Sequence, residues 1–595
     1  MIAVVVLTPA ALDTARRVAA ALPGAAIHAL AGRVAAPDAT MIAETAPHLR
    51  ALFAAGTPIV GVCAAGILIR ALAPLLSDKR AEPPVLAVAS DGSAVVPLLG
   101  GHHGANALAR RLAAALGCPA AVTTAGDLSL GVALDEPPPG WRVANPEAAK
   151  PVAAMMLAGG PVRLEVEAGE AGWLDGLPFA AGAELAIRIT DRAVKPDDNE
   201  LVLHPPTLAV GVGCERSCDP AELEALVRDT LAAEALAAES VACVASVDLK
   251  ADEAAVHALA RSLGVPARFF TPAELNGQAA RLATPSAIVM REIGCPGVSE
   301  GAALAAAGPE SELVVAKTKS RRATMAVARA GRGIDPLAVG RARGRLFIVG
   351  IGPGSADMRT PEASAAIAAA TDLVGYGMYL DLLGAAAGGK ARHESGLGAE
   401  ADRARMALDL AAEGRTVALV CSGDAGIYAL ATLAFELMDR ERAPGWLRLD
   451  VTVVPGVSAL QAAAARAGAP VNHDFCTISL SDLLTPWQSI ERRLRAAAEA
   501  DFVVCFYNPV SQRRRDQLAH ARDILLTGRP PETPVILARQ LGRPEEKVEI
   551  ITLEELTPDH ADMLTMVVVG NSETRRLDLP SGPRVYTPRG YARKL

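Results

Sequence analysis

The 595-residue sequence has no uninterrupted apolar run that reaches the roughly 18 to 20 residues of a membrane-spanning helix. Its first 17 residues place two arginines after the apolar run, which is the reverse of the order in a secretory signal. This opening predicts a β-strand followed by a helix. We therefore expect a cytoplasmic protein that neither crosses nor binds a membrane.

Cysteine is also sparse, and acidic residues outnumber basic ones. Nine cysteines are scattered without a disulfide framework, and Cys214 and Cys218 are too isolated for a Cys-only zinc site. The net charge of −8 argues against nucleic-acid binding, which needs a basic face. The run from Arg513 to Arg515 has two interpretations, a solvated helix face or a site for a small polyanion. No compact set of ligand residues predicts a metal site.

Apolar strands alternate with Ala- and Leu-rich helices along the whole chain, which predicts a multidomain α/β protein. In the first domain the predicted strands include IAVVVL, PIVGVC, PVLAVAS and AAVTT. Changes in composition predict an α/β domain over 1–135, a middle module over 136–205, a second α/β domain over 206–330, a linker over 331–343 and a last domain over 344–595.

Three strands of the last domain end in turns of small residues. The first ends in GIGPG, the second in SGD and the third in PGVS, and an Ala-rich helical run follows each of them. Glycines at a strand end let the backbone approach a ligand, and free amides at a helix start bind polar groups. This arrangement predicts a cofactor crevice.

Residues of about 345–590 resemble the class III tetrapyrrole methyltransferases. The resemblance rests on an ordered set of segments, GIGPG, CSGDAGIY, VVPGVSA, FYNP, ARQLGRPEE and TMVVVGN. HDFCTISLSDLLTPW and FYNPVSQRR resemble the precorrin-3B C(17)-methyltransferases in particular. The resemblance implies two α/β lobes, S-adenosylmethionine in a cleft between them, and a homodimer through this domain. The cofactor-binding residues that it implies are Gly352, Pro353, Gly354, Gly423, Asp424, Ala425, Ile427, Tyr428, Ser479, Leu480, Ser481, Met566 and Gly570.

Several of these residues have a second interpretation. Asp424 is either a ligand contact or a turn residue or helix cap. Tyr507 and Asn508 either bind the substrate or shape an Asn-Pro turn. Methyl transfer depends on in-line placement of the reacting atoms more than on acid-base groups. In the resembled family C17 methylation is coupled to ring contraction, which moves a proton, and the candidates for that role are His393, His473 and Asp482.

The segment VVPLLGGHHGANALARR places an apolar strand before a glycine-rich turn and a helix. The amides of the turn could bind carboxylate or phosphate oxygens, and His102 or His103 could donate a proton. The alternative is a purely structural turn that Asn106 caps.

Residues 1–330 resemble the cobalt-precorrin-5A hydrolases. The resemblance rests on this turn and on the segments GILIRALAPLLSDK, GVGCERSC, ASVDLKADE and VSEGAAL. The turn itself has one glycine fewer than the family's SGHxGGAN. The family opens a corrinoid lactone and releases acetaldehyde, and the absence of GxSxG favours direct attack by water. Such a reaction needs acid-base groups, donors and cations. The catalytic candidates are His102, His103, Lys250 and Glu300, and the substrate-binding candidates are Arg70, Lys79, Asn106, Thr123 and Thr124. Lys250 and Glu300 could instead cap helices.

The two resemblances together predict a bifunctional enzyme of corrin-ring synthesis that acts on precorrin intermediates, with other enzymes of that pathway as partners. The methylated substrate is either metal-free precorrin-3B or cobalt-precorrin-3. One alternative makes the N-terminal part a non-catalytic corrinoid carrier. Another gives the last domain a protein substrate, the diphthamide precursor, which the attached hydrolase-like region does not explain.

Overall fold

The apolar runs at the start of the chain form a six-stranded sheet in the computed structural model, which describes residues 2–22, 24–36, 39–77, 82–123, 130–396 and 398–591. The strands pair in the order Thr40–Ile42, Ala25–Leu30, Ile2–Val6, Ile59–Val62, Val85–Val88 and Val95–Leu99. The first five are parallel, and the sixth is antiparallel to the fifth. The helices of this domain are Leu12–Ala21, Thr45–Ala54, Ala65–Leu72 and Ala105–Leu116.

Both faces of this sheet are buried under helices, as is usual for parallel strands. Val4 and Val6 belong to one core with Leu112, and Val5 belongs to the opposite core with Leu49. Successive side chains of a strand point to opposite faces. The unbroken apolar run of the first strand therefore supplies both layers.

Two expectations for this domain are wrong. Over its described residues AAVTT forms no strand, because Ala120 makes only an isolated bridge to Val95. Asn106 does not cap the helix, which begins at Ala105 after Gly104 as N-cap. Gly104 is left-handed with φ 87°, so the chain turns into the helix through glycine backbone, and Asn106 is already inside the first turn.

The middle of the chain contains two further sheets. A four-stranded sheet has the order Arg142–Val143, Glu200–His204, Ala186–Ile189 and Arg163–Val166, beside the helix Ala149–Leu157. A five-stranded sheet has the order Ala267–Phe270, Val241–Val247, Leu208–Cys214, Ala323–Arg329 and Glu312–Lys319. Its helices are Pro220–Ala233, Ala254–Leu263, Pro272–Asn276, Ala287–Ile293 and Val298–Ala307.

The last of these helices packs directly on the central strand. A Cβ at Gly211 would lie 1.9 Å from the carbonyl oxygen of Ser299, so only glycine permits this contact. In the same sheet the first three strands are parallel, the fourth is antiparallel to the third, and the fifth is antiparallel to the fourth.

The C-terminal part has two larger sheets and one small sheet. The first has the order Ala391–Ser395, Asp372–Tyr376, Thr416–Cys421, Arg345–Gly350 and Asp450–Val454, with helices Pro361–Ala369, Gly377–Asp381, Glu400–Ala412 and Leu430–Glu441. The second has the order Phe475–Ser479, Val503–Tyr507, Thr565–Val569, Pro534–Arg539 and Lys547–Thr552, with helices Ala459–Ala467, Trp487–Glu499 and Asp516–Leu526. The small sheet has the order Gly468–Ala469, Gly582–Tyr586 and Arg575–Leu579.

The chain divides into two compact units. The first contains Met1–Gly344 with the short segments Ala412–Arg415 and Leu447–Asp450. The second contains Arg345–Ala411, Thr416–Trp446 and Val451–Leu595. Within the described ranges no helix is both long and apolar enough to cross a bilayer. The prediction of a multidomain α/β protein is confirmed.

Candidate functional site

The three small-residue turns of the second unit meet backbone to backbone. A Cβ at Gly456 would lie 2.2 Å from the carbonyl oxygen of Gly423 and 2.6 Å from that of Gly350. Gly352 donates to the carbonyl of Gly423 at 3.1 Å, and Gly423 donates back to Gly352 at 2.8 Å. The glycines therefore allow the turns to pack against one another, a role that the sequence did not distinguish from ligand approach.

Asp424 ties two of these turns together. Its Oδ1 accepts a hydrogen bond of 2.8 Å from the Gly426 amide, and its Oδ2 accepts one of 3.1 Å from the Gly456 amide. These contacts correspond to the turn-residue interpretation. In the same turn Ala425 is buried and Ile427 is half-buried.

Tyr428 connects this turn to the second large sheet. Its φ of 51° is rare for a residue with a side chain, and 53% of its surface is exposed. Its hydroxyl donates to the carbonyl of Thr477 at 3.1 Å, and its ring centroid lies 5.1 Å from that of Tyr507. The strand ends of the two sheets in this unit are therefore in contact through a pair of aromatic rings.

Two parallel strands of the second sheet end side by side at this position. The side-chain amide of Asn508 donates to Ser479 Oγ at 3.1 Å, and the Leu480 amide donates to the carbonyl of Tyr507 at 3.0 Å. The Ser481 amide donates to Ser479 Oγ at 3.3 Å. The structure thus brings these five predicted residues together at one sheet edge.

The sequence did not identify Arg514 as part of this edge. Its side chain is buried, and Nη1 donates to the carbonyls of Leu480 at 2.9 Å and Asn508 at 2.7 Å. Burial lowers the pKa of Arg514, and Asp482 opposes that shift. The two neighbouring arginines are exposed, so only the middle residue of the Arg run departs from a solvated face. A run of like charges gave no signal for this burial.

Met566 lies near the amino end of the strand Thr565–Val569, and Gly570 directly follows its carboxyl end. The strand Thr565–Val569 is antiparallel to Val503–Tyr507, so Met566 lies at the level of Tyr507. Gly570 lies at the far edge, where its carbonyl accepts a hydrogen bond of 2.7 Å from Arg529. The structure therefore does not bring Gly570 to the predicted site.

The direction of the strands also separates the three proton-transfer candidates. His393 Nε2 lies 2.8 Å from Asp372 Oδ1, at the amino end of the neighbouring strand. His473 precedes the amino end of Phe475–Ser479. Asp482 lies at the carboxyl edge, where its Oδ2 accepts a hydrogen bond of 3.1 Å from Gln517. Of the three, Asp482 is the residue beside the turns.

In the first unit the turn that carries GGHH packs against the start of a strand. A Cβ at Gly100 would lie 2.4 Å from the carbonyl oxygen of Pro83. The preceding strand is antiparallel, so the turn lies at the amino edge of the parallel strands. His103 is exposed and Asn106 is buried. A Cβ at Gly101 would lie 3.7 Å from a carboxylate oxygen of Glu136, a neighbour that the sequence did not reveal.

The other candidates for this turn are dispersed or not described. Arg70 is exposed, and its guanidinium lies over Gly66, 3.1 Å from where a Cβ would stand. Thr123 is exposed. The side chain of His102 and the whole of Lys79 and Thr124 lie outside the described residues.

Lys250 follows a strand of the second α/β domain and contacts a buried carboxylate. Its Nζ lies 3.6 Å from Glu253 Oε2, and Arg216 Nη1 lies 3.9 Å from the same oxygen. Burial is the main cause that raises the pKa of the neighbouring Cys214 thiol to about 11, and the charge of Lys250 opposes it. Lys250 is thus a paired, largely buried cation.

Glu300 is buried and saturated with donors. Its carboxylate accepts hydrogen bonds from the amide and hydroxyl of Thr284 at 3.0 and 2.8 Å, and from the Lys317 amide at 2.9 Å. Burial alone would raise its pKa, but these donors outweigh it and lower the pKa. This geometry makes Glu300 a structural anchor between two segments.

The first domain contains a second pair of histidines, which are far apart in sequence. His48 Nε2 lies 3.0 Å from His28 Nδ1 in the first domain. Burial, followed by the charge of His48, lowers the pKa of His28 to about 4. Among the described side chains no group of three or more His, Cys, Asp or Glu could hold a metal ion.

Comparisons with known proteins match both parts of the chain. The family model for tetrapyrrole (corrin/porphyrin) methylases matches residues 345–557. The models for the cobalamin synthesis G N-terminal and C-terminus match residues 47–127 and 208–328. The precorrin-3B C(17)-methyltransferase of Sinorhizobium sp is 46% identical over 250 residues, which are 42% of this chain and 98% of that protein. The chain belongs to the tetrapyrrole methylase family.

Two further similar proteins cover different parts of the chain. The probable cobalt-factor III C(17)-methyltransferase of Salmonella typhimurium is 45% identical over 246 residues, 41% of this chain and 99% of that protein. A solved cobalamin biosynthesis protein G homologue from Sulfolobus solfataricus is 20% identical, covers 55% of this chain and 96% of its own, and has a TM-score of 0.23. Both resemblances derived from the motifs are confirmed, and the chain joins a methylase part to cobalamin synthesis G parts.

Proposed function

We propose that the methylase part transfers a methyl group from S-adenosylmethionine to carbon 17 of a precorrin. The observation that carries this proposal is the relative of 46% identity, almost all of whose length aligns with this part of the chain. The relatives are named for precorrin-3B in one case and for cobalt-factor III in the other. The substrate is therefore one of two related macrocycles, without or with cobalt.

The side chains at the strand ends fit the proposed cofactor. The hydroxyl of Tyr507 is buried and makes no hydrogen bond of standard geometry within the described residues, although the Ser458 side chain and the Leu460 backbone interact with it. A hydroxyl without a well-formed hydrogen bond can turn to a ligand. The exposed ring of Tyr428 beside it offers an aromatic face of the kind that attracts a cation such as a sulfonium. S-adenosylmethionine supplies a methyl group whose bond to sulfur breaks as the bond to the ring carbon forms.

The chain's own contribution is placement. Asp424 fixes two of the turns, and Arg514 fixes the edge that carries Ser479 and Asn508. A rigid edge holds the reacting groups in line, which can lower a barrier by several kcal/mol. Asp482 at this edge is the carboxylate that we assign to the proton that moves during ring contraction.

For the cobalamin synthesis G parts we propose hydrolysis of a corrinoid lactone, with His103 as acid-base group at the GGHH turn. The water oxygen would bond to the lactone carbonyl carbon while the ring C–O bond breaks, and His103 would pass the proton to the departing oxygen. A non-catalytic carrier is the second candidate, since Asn106 and Glu300 are buried inside the fold. The variant His103→Gln separates them: lactone accumulates if the part is a hydrolase, and pathway flux is unchanged if it is a carrier.

The decisive experiment for the methylase is mass spectrometry of the full chain with S-adenosylmethionine and either precorrin-3B or cobalt-precorrin-3. A gain of one methyl group on the metal-free substrate identifies precorrin-3B as the substrate and contradicts the hydrolase role, because the hydrolase family resembled here acts on a precorrin that contains cobalt. A gain only on the cobalt form supports both activities. If neither substrate gains a methyl group, the proposal fails.

A further inference from the structure

The loop after the strand Pro534–Arg539 carries the guanidinium group of Arg543, whose contacts in the described residues are with a carbonyl and a sulfur atom. The Nε of Arg543 donates to the carbonyl oxygen of Pro353 at 3.4 Å, and its Nη1 lies 3.3 Å from the sulfur of Met378. The side chain is half-buried. Over the described part of the chain, Arg543 makes no ion pair with Asp or Glu.

The nearest carboxylates in sequence point to other partners. Glu546 accepts hydrogen bonds from Arg466 and from the Gly542 amide, both at 2.6 Å. Glu545 accepts a hydrogen bond of 2.8 Å from Gln540. A partly desolvated cation without a counter-charge is unfavourable. The position of Arg543 is therefore not explained by contacts within the fold.

Close backbone packing fixes this position at the edge where the turns meet. A Cβ at Gly354 would lie 2.5 Å from the carbonyl oxygen of Leu541, and a Cβ at Gly542 would lie 2.7 Å from the Ser355 amide nitrogen. The loop is thus pressed onto the GIGPG turn. Met378 lies in the helix that follows the strand Asp372–Tyr376, so the sulfur beside Arg543 also belongs to this edge.

We infer that Arg543 binds a carboxylate of a ligand held at this edge. A guanidinium offers two parallel N–H donors that match a carboxylate. Within the described residues the hydrogen bonds of the Arg543 side chain go to one carbonyl and to a weak sulfur acceptor. The inference rests on the proposed function, which offers two sources of that group. One is the α-carboxylate of S-adenosylmethionine, and the other is a carboxylate on the rim of the tetrapyrrole.

The test compares Arg543→Gln with Arg543→Lys and with the matched control Arg539→Gln. Arg539 is more than half exposed and pairs with Asp562 at 2.7 Å on the neighbouring segment. Calorimetry gives the Kd of the full chain for S-adenosylmethionine and for its decarboxylated analogue. Steady-state kinetics at saturating S-adenosylmethionine gives KM and kcat for the tetrapyrrole, and thermal unfolding checks that each variant is folded.

We expect Arg543→Gln to weaken the binding of one ligand by about tenfold or more. Arg543→Lys should weaken the same ligand less, because it keeps the charge but loses the paired donors. Arg539→Gln should change neither constant. If the α-carboxylate is the partner, the wild type discriminates against the decarboxylated analogue and Arg543→Gln loses that discrimination. If the tetrapyrrole is the partner, only its KM rises.

The inference is overturned if Arg543→Gln folds and leaves both the Kd for the cofactor and the KM for the tetrapyrrole unchanged. It is also overturned if Arg543→Lys and Arg543→Gln weaken the binding of every ligand to the same extent. A wild-type chain that methylates neither tetrapyrrole overturns the proposed function instead. In that case the Kd values of the wild type and of Arg543→Gln for the cofactor and the decarboxylated analogue still decide whether Arg543 binds the α-carboxylate.

Discussion

Acidification should loosen the first sheet before the rest of the chain, because it protonates a histidine that the fold keeps neutral. The ring of His28 is 9% exposed, and the nitrogen that faces it belongs to His48 at 3.0 Å. Burial, with the charge of His48, lowers the pKa of His28 to about 4, against about 6.5 in an unfolded chain. Burial lowers the pKa of His48 as well.

The sign follows from these shifts. Since the folded pKa lies below the unfolded one, the stabilisation is complete above pH ~6.5 and is lost as the pH falls towards 4. Each pKa unit is worth about 1.36 kcal/mol, so the full loss from His28 is about 3 kcal/mol. At pH 5 about 2 kcal/mol is already lost, which corresponds to a roughly 30-fold drop in protection of local amides.

The assay is hydrogen exchange with mass spectrometry on the full chain at pH 7.5 and pH 5, corrected for the intrinsic rate. Peptides over Ala25–Leu30 should lose protection, whereas those over Arg345–Gly350 should not. In His28→Gln the loss should largely disappear, and in the control His520→Gln, an exposed histidine, it should remain. Equal protection at both pH values in the wild type would refute this reasoning.

Three further predictions concern carboxylates and a guanidinium with many contacts. Asp424→Asn should weaken S-adenosylmethionine binding by about tenfold in calorimetry, because one amide of the paired turns loses a charged acceptor; unchanged Kd would contradict this. Arg514→Leu should destabilise the second unit by about 3 kcal/mol in denaturant unfolding. Arg522 is more exposed, so the control Arg522→Leu should destabilise it less. Equal effects of the two variants would show that the two carbonyl contacts of Arg514 do not contribute to stability. Glu300→Gln should lower stability at pH 7 by about 1 to 2 kcal/mol, because the buried donors lose a charged acceptor. In the wild type this contribution is lost as the pH falls through the lowered pKa of Glu300, so the variant should differ less from the wild type at pH 4. A difference in calorimetric unfolding that is equal at pH 7 and pH 4 would contradict this prediction.

Local sequence signals predicted most strands because burial and turn chemistry coincide along the chain. The run RLFIVG is apolar and ends in glycines, and it forms the strand Arg345–Gly350. AAVTT had the composition of a strand but no neighbour along its described length beyond Val95. Pairing is a tertiary property that composition does not encode.

The site was predictable in its location but only partly in its roles. Small-residue turns identified the edge, yet Gly350 and Gly456 serve contacts between backbones that are remote in sequence. The burial of Arg514 could not be predicted from the run of three arginines, because it depends on the carbonyls of Leu480 and Asn508. Such roles depend on which segments meet, and a single sequence gives no direct account of that.

Strand direction decides which predicted residues can act together. Met566 and Gly570 are four positions apart on one strand, a span of about 13 Å, and because that strand is antiparallel to its neighbour only Met566 reaches the level of Tyr507. The same argument removes His393 and His473 from the turns and leaves Asp482 beside them. The turns converge because strands of both sheets end there, and Arg543 joins them because the strand before its loop runs in the same direction as Val503–Tyr507. One edge of the second unit therefore holds the aromatic pair, the acid and the guanidinium of Arg543, and the proposed binding of a charged macrocycle and a sulfonium cofactor rests on these groups.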